Sequence, residues 1–218
     1  MACLGQYAFL VIALLDYGAG NLRSVEKALL HIGAEVRVFQ KPDGLEEAKG
    51  FVLPGVGAFD DCMCALQRQE LFGAAKNLIQ NGRPFLGICV GYQALFDRSE
   101  EFNSCAQGLS VFPGRVIRFS GKDGLKVPQI GWNELEIARP DCPILAGLPE
   151  RPYVYFVHSF YPKPDDEGIV AAWTDYGERF ASVVWRDRVF ATQFHPEKSQ
   201  ENGLTILRNF VGFAEREG

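Results

Sequence analysis

The chemistry of this chain centres on one cysteine that closes a short apolar run, Pro84-Phe85-Leu86-Gly87-Ile88-Cys89-Val90-Gly91-Tyr92-Gln93. Phe85 to Ile88 reads as a fully buried strand, and Tyr92 to Phe96 as the start of a helix. Between them lies Gly87-x-Cys89-x-Gly91, the pattern of a nucleophile elbow with sulfur in place of the serine oxygen. The two glycines are expected to let the backbone turn sharply and to leave room around the thiol. A helix N-terminus at that place would favour the thiolate. A cysteine nucleophile also demands a histidine, and usually an acid to orient it.

The chain has three histidines. His31 falls near the end of the first amphipathic helix and reads as a capping or solvated side chain. His158 follows the apolar run Tyr153 to Val157, at a strand end where α/β sheets place ligands, and two readings stay open for it, pocket lining or structure. His195 follows Phe190 to Phe194 and stands in Gln193-Phe194-His195-Pro196-Glu197-Lys198. In an extended segment residues i and i+2 point the same way, and Pro196 is expected to keep the backbone extended. Glu197 can then bond one ring nitrogen while the other faces Cys89, which fixes the tautomer and raises the basicity of the imidazole.

Attack on an acyl carbon needs an oxyanion hole. Pro54-Gly55-Val56-Gly57, after the third strand, offers flexible amides, and the amide of Val90, just after the nucleophile, is the usual second donor at such an elbow. Gly18-Ala19-Gly20-Asn21 follows the first strand, but Arg23 replaces the third glycine of a dinucleotide fingerprint and no Walker sequence is present. Glu100 and Glu101 taken alone read as a solvated loop.

These residues need a scaffold, and the first two-thirds of the chain alternates strand and helix. Phe9–Asp16, Glu35–Phe39, Phe51–Leu53 and Phe85–Ile88 read as strands. Leu22, Val25, Leu29 and Ile32 follow helical spacing, with Asn21 as N-cap and Gly33 as the stop. Leu66, Leu71, Leu78 and Ile79 mark further helical segments that end near Asn81-Gly82. The alternation predicts an α/β fold with an open, mostly parallel sheet flanked by helices. From about Gly114 short strands follow, predicted at Arg115–Phe119, Glu134–Ile137, Tyr153–Val157, Ile169–Trp173, Ala181–Trp185 and Arg188–Gln193, with a turn at Arg186-Asp187. A last helix carries Leu204, Leu207, Phe210 and Val211 on one face, with Ser199 as N-cap. No linker divides the chain, so residues 1–218 read as one domain whose second half adds antiparallel strands.

At 218 residues the chain is long enough for a well-buried core, and its net charge of −5 offers no footprint for nucleic acid. The longest apolar run, Ala8 to Leu15, is too short to span a membrane and lacks the basic flank of a signal peptide. The six cysteines form no C-x-x-C pair and no Cys/His cluster. No metal is expected, and reduced thiols in a cytoplasmic protein are the simpler reading.

The set Gly87-Ile88-Cys89-Val90-Gly91-Tyr92-Gln93 with His195-Pro196-Glu197 resembles the class I (triad) glutamine amidotransferases. Asp16-Tyr17-Gly18-Ala19-Gly20-Asn21-Leu22, Leu53-Pro54-Gly55-Val56-Gly57, Val127-Pro128-Gln129-Ile130-Gly131-Trp132-Asn133, Tyr155-Phe156-Val157-His158-Ser159 and the stretch from Phe194 to Ser199 narrow the resemblance to the glutaminase subunits of imidazole glycerol phosphate synthases. It runs from about Phe9 to the end. It implies a flavodoxin-like glutaminase fold, no cofactor, and hydrolysis of glutamine through a cysteinyl thioester. The ammonia would pass to a (β/α)₈-barrel cyclase subunit in a 1:1 heterodimer of histidine biosynthesis. Carried over, Cys89 would be the nucleophile, His195 the base and acid, and Glu197 its orienter. Val56 and Val90 would give oxyanion amides, with Gly55 letting the backbone reorient. Gln93, Glu101, Ser159 and Phe160 would bind glutamine, and Trp132, Asn133, Tyr155 and Lys198 would face the cyclase. Gln129 stands where many members have histidine, and Phe160 where tyrosine is familiar. Met1 to Ala8 read as an extension without an assigned role. The alternatives are the glutaminase of another amidotransferase, a stand-alone cysteine hydrolase, and a non-catalytic glutamine-sensing scaffold.

Overall fold

The computed structural model describes residues 11–18, 21–121 and 124–218. In chain order the elements are β1 (Val11–Leu15), α1 (Leu22–His31), β2 (Glu35–Phe39), β3 (Gly50–Gly55), α2 (Phe59–Arg68), α3 (Leu71–Gln80), β4 (Phe85–Cys89) and α4 (Val90–Gln93). Then come β5 (Arg98–Ser99), β6 (Gly114–Arg118), β7 (Gln129–Glu134), β8 (Glu136–Ile137), β9 (Tyr153–His158) and β10 (Phe160–Pro164). The chain ends with β11 (Val170–Asp175), β12 (Arg179–Arg186), β13 (Val189–Thr192) and α5 (Gln200–Glu217).

One eight-stranded sheet runs in the order β2-β1-β3-β4-β13-β12-β11-β8. The pairs from β2 through β13 are parallel, and those from β13 to β8 antiparallel. Every residue of β1, β3, β4 and β13 is buried, which is why these strands read as unbroken apolar runs. Helices α1 and α5 pack together, as do α2, α3 and α4. The order reverses between β1 and β3, and a crevice outside the C-terminal strand ends is where such a sheet takes its ligand. Gly55 and Cys89 end adjacent strands, and His195 follows β13, which is hydrogen-bonded to β4 with Thr192 opposite Ile88. Two smaller sheets, β10-β6-β5 and β7-β9, stand beside the main one.

The expected elements are present, with several corrections. Phe9 and Leu10, the start of the first predicted strand, lie outside the described residues, as do Met1 to Ala8. The predicted strand Glu134–Ile137 is broken at Leu135: β7 begins already at Gln129, and β8 is a separate pair of residues. Leu135 turns into the core, and its amide donates to the Pro152 carbonyl rather than to a ladder. Strand β10 has no counterpart among the predicted strands, and it contains Pro162 and Pro164. Both are tolerated since β10 is the edge of its sheet, where a missing N–H leaves no ladder bond unmade. Ser199 and Asn21 stand at N-cap positions without capping by side chain. Ser199 Oγ donates to the His195 carbonyl and accepts from the Tyr155 amide, so it ties the site to β9 instead.

Candidate active site

Cys89 ends β4 with φ 55° and ψ −107°. These are close to the angles of the first central residue of a type II′ turn, a place glycine prefers. Holding a side-chain-bearing residue there costs about 1–3 kcal/mol, which is borne only where surrounding packing enforces it. The strain falls on the cysteine and not, as expected, on the flanking glycines, neither of which has positive φ. Gly87 and Gly91 are needed for space. A Cβ on Gly91 would overlap the Leu53 carbonyl, and one on Gly87 would come within 2.7 Å of the Gly91 carbonyl oxygen. Gly55 is also a contact position, since its Cβ would lie 2.5 Å from the Gly91 nitrogen. The helix after the cysteine is a single turn, shorter than expected, so it brings only the free amides of one turn to the sulfur.

His195 is buried, and its Nδ1 donates to Glu197 Oε1 at 2.8 Å. Pro196–Lys198 form one 3₁₀ turn rather than the expected extended segment. The carboxylate reaches the ring by curling back under it, and its side chain is fully buried. His195 Nε2 has no hydrogen-bond partner of its own. Burial alone would lower the imidazole pKa, but the neighbouring Cys89 sulfur and Glu197 carboxylate outweigh it and push the value up to about 10. A thiol donor beside a strengthened base, with a buried acid behind it, can pass a proton from sulfur to imidazole and on to a leaving amine.

One cavity of about 430 Å³ collects Val56, Cys89, Val90, Gln93, Glu101, Ser159, Phe160, His195 and Lys198 in its wall. Gly55 and Glu197 stand behind that wall, each against one of its members. Glu101 spends Oε2 on the Phe59 amide at the start of α2, and burial raises its pKa. Gln93 Nε2 donates to the Phe160 carbonyl at 3.0 Å and to Gln193 Oε1 at 3.3 Å. Tyr17 Oη is buried without a partner; burial raises its pKa, and the Val56 amide nearby acts in the opposite sense.

His158 settles between its two readings by doing both. It lines the cavity, and both ring nitrogens are engaged: Nδ1 with the Phe160 carbonyl at 2.9 Å and Nε2 with Gln129 Oε1 at 3.0 Å. Burial pushes its pKa down to about 4, so the ring is neutral at physiological pH. The Phe160 carbonyl can only accept, hence Nδ1 carries the hydrogen, and a neutral ring then requires the Gln129 amide to be turned so that its nitrogen, in place of Oε1, donates to Nε2. His31 is exposed at the end of α1, as expected. Gln193 was not singled out by its own position in the sequence. It is fully buried, and its Nε2 donates to Cys89 Sγ at 3.7 Å. The available signal was one amide near the end of the strand run Phe190 to Phe194.

Beside the cavity mouth, β7 and β9 present one face outward. Ile130, Trp132 and Tyr153 are 64%, 46% and 55% exposed, and Trp132 pairs directly with Tyr155. Lys198 Nζ stands over the Tyr155 ring at 5.9 Å. Asn133 alternates to the other face, where its amide donates to the Asp175 carbonyl.

A family model described as glutamine amidotransferase class-I matches residues 13–212. The imidazole glycerol phosphate synthase subunit HisH of Syntrophotalea carbinolica is 51% identical over 205 residues, which cover 92% of this chain and 98% of that protein. The subunit of the same name from Geobacter metallireducens is 52% identical over 206 residues, 92% of this chain and 97% of that one. Among solved structures, that of PurLQS from Thermotoga maritima matches with a TM-score of 0.75 at 18% identity, over 94% of this chain and 99% of that chain. With half of its residues shared along nearly the full length of those subunits, the chain belongs to the class-I glutamine amidotransferases, in the branch of the imidazole glycerol phosphate synthase HisH subunits.

Proposed function

We propose that the cavity at the ends of β3, β4 and β13 hydrolyses the side-chain amide of glutamine and that its ammonia feeds a cyclase subunit in histidine biosynthesis. The observation that carries this reading is the buried His195–Glu197 pair beside Cys89 on one cavity wall. Cys89, its proton already held by the imidazole of His195, attacks the amide carbon and gives a tetrahedral oxyanion. Collapse breaks the C–N bond, and His195 returns the proton to the departing ammonia. Water, deprotonated by His195, then attacks the thioester, and the C–S bond breaks with its electron pair returning to sulfur. The Val90 and Val56 amides hold the oxyanion. Gln93, Glu101, Ser159 and Phe160 hold the amino-acid end of the substrate.

The exposed face of β7 and β9 is the docking surface for the cyclase, a (β/α)₈ barrel in a 1:1 complex in the cytoplasm. Large apolar residues gathered at the cavity mouth support that place. Trp132, Tyr155 and Lys198 belong to this surface, while Asn133 braces it from the inner face. A turn of the Gly55–Val56 peptide, completing the oxyanion hole when the cyclase is engaged, would hold back hydrolysis in the isolated chain. The test is glutamate release from glutamine, with and without the cyclase and its nucleotide ligand. Release should rise at least tenfold in the complex and vanish in Cys89→Ala. Full activity in Cys89→Ala would end the nucleophile assignment.

A further inference from the structure

We propose that Gln193 is a positioning residue for the nucleophile, its side-chain amide donating a hydrogen bond to the Cys89 sulfur in an orientation locked by Gln93 and the Phe160 carbonyl. This rests on the reading of Cys89 as the nucleophile.

The orientation follows from a chain of forced choices. The Phe160 carbonyl oxygen can only accept, so the Gln93 atom 3.0 Å from it is the amide nitrogen. That nitrogen has a second hydrogen, and Gln193 lies 3.3 Å away. The Gln193 atom facing it must therefore be the oxygen, which leaves the Gln193 nitrogen 3.7 Å from Cys89 Sγ as a donor. Turning the Gln193 amide over would set one NH₂ against another. The side chain has no route to water, since Gln193 is fully buried, and its backbone amide is held by the Ser182 carbonyl at 2.9 Å. Sequence places it two residues before His195, so one short segment brings both the base and the donor to the sulfur.

A fixed N–H directed at sulfur stabilises the thiolate more than the neutral thiol, and more so in a dry site. It also serves at the second step. When the thioester breaks, the electron pair returns to sulfur, and the donor already stands where that charge appears. A different role is conceivable for the same contacts: Gln193 could simply hold Gln93 for substrate binding. That role would act on KM for glutamine, whereas support of the sulfur acts on kcat and on the pH dependence of the thiol.

The full chain with its cyclase subunit carries the test, using Gln193→Met, which keeps shape and loses the donor, and Gln193→Glu, which keeps size and replaces the nitrogen by oxygen. Alkylation of Cys89 by iodoacetamide is followed by peptide mass spectrometry across pH, alongside glutaminase kinetics. The pH midpoint of alkylation should rise in both variants, with labelling at pH below it about tenfold slower. The value of kcat should fall at least as much, with KM for glutamine changing less than threefold. An unchanged alkylation midpoint with a raised KM overturns the proposal. Should either variant fail to fold, the unaltered protein still decides. The Gln193 side-chain amide resonances in ¹⁵N-labelled protein must move with the same midpoint as Cys89 alkylation, and resonances that stay put overturn the proposal. If Cys89→Ala keeps its glutaminase activity, the nucleophile reading itself has failed, and Gln193 falls with it.

Discussion

Acid should weaken this fold through His158 in a way that can be calculated. Its imidazole ordinarily titrates near 6.5 but is pushed down to about 4 by burial among Phe119, Phe156 and Phe180. The unfolded chain therefore binds a proton below pH 6.5 that the folded chain refuses until about pH 4. Stability present above 6.5 is lost as pH falls through that window. At pH 5 the loss from this one ring is about 2 kcal/mol, and below pH 4 it approaches about 3 kcal/mol. His195 works the other way: its folded value is raised to about 10, so its contribution is nearly complete at pH 7 and is lost only as pH climbs toward 10. It changes by under about 1 kcal/mol between pH 7 and 5, and equally in both proteins compared. Urea unfolding of the wild type and of His158→Gln at pH 7 and pH 5 isolates the effect. The variant starts less stable at pH 7, but its further loss on going to pH 5 should be smaller than the wild type's by about 2 kcal/mol. Equal losses in the two proteins would show that His158 is protonated in the folded state near its ordinary pH, and the neutral, Nδ1-donating ring would have to be abandoned.

Glu197→Gln should lower kcat for glutamine hydrolysis by about a hundredfold to ten-thousandfold, because an amide can hold the His195 ring in the wrong tautomer; a loss below threefold in the coupled assay would refute the orienting role. Gly91→Ala sets a methyl group onto the Leu53 carbonyl of β3, which cannot swing away. A drop of about 3 kcal/mol or more in urea stability is expected, with lost activity. Trp132→Ala should weaken cyclase binding about tenfold to a hundredfold by calorimetric titration, while Leu30→Ala, exposed on α1, leaves it unchanged.

The parallel half of the sheet was legible because β1, β3 and β4 are buried on both faces and so carry no polar alternation to confuse the reading. That Cys89, His195 and Glu197 come together was legible because an elbow, a histidine at a strand end and a carboxylate two residues on constrain one another. Finer geometry was not. Whether Pro196 extends the chain or starts a 3₁₀ turn depends on Ser199, whose hydroxyl bonds the His195 carbonyl. Strand β10 carries two prolines that only an edge position excuses. The backbone strain at Cys89 was assigned to its glycines, because φ is fixed here by the contacts of β3 with the elbow rather than by residue type. Gln193 and Gln129 gain their meaning only from partners far along the chain.

The pairing of β4 with β13 also sets an order of events during synthesis. Cys89 and Gln193 are 104 residues apart. As the chain leaves the ribosome, the thiol is present long before the segment that carries His195 and Gln193. Until strand β13 pairs with β4, β4 is the edge of the parallel half, and β12, β11 and β8 join the main sheet only through β13. Contacts of such long sequence separation close late. A half-made chain thus holds Cys89 without the His195–Glu197 pair, and on the proposed mechanism it hydrolyses no glutamine. In refolding from urea, glutaminase activity with the cyclase present should return only with the slowest phase, after most helical signal has recovered. Activity arriving with the early helical phase would place β13 in the sheet sooner than its chain separation allows.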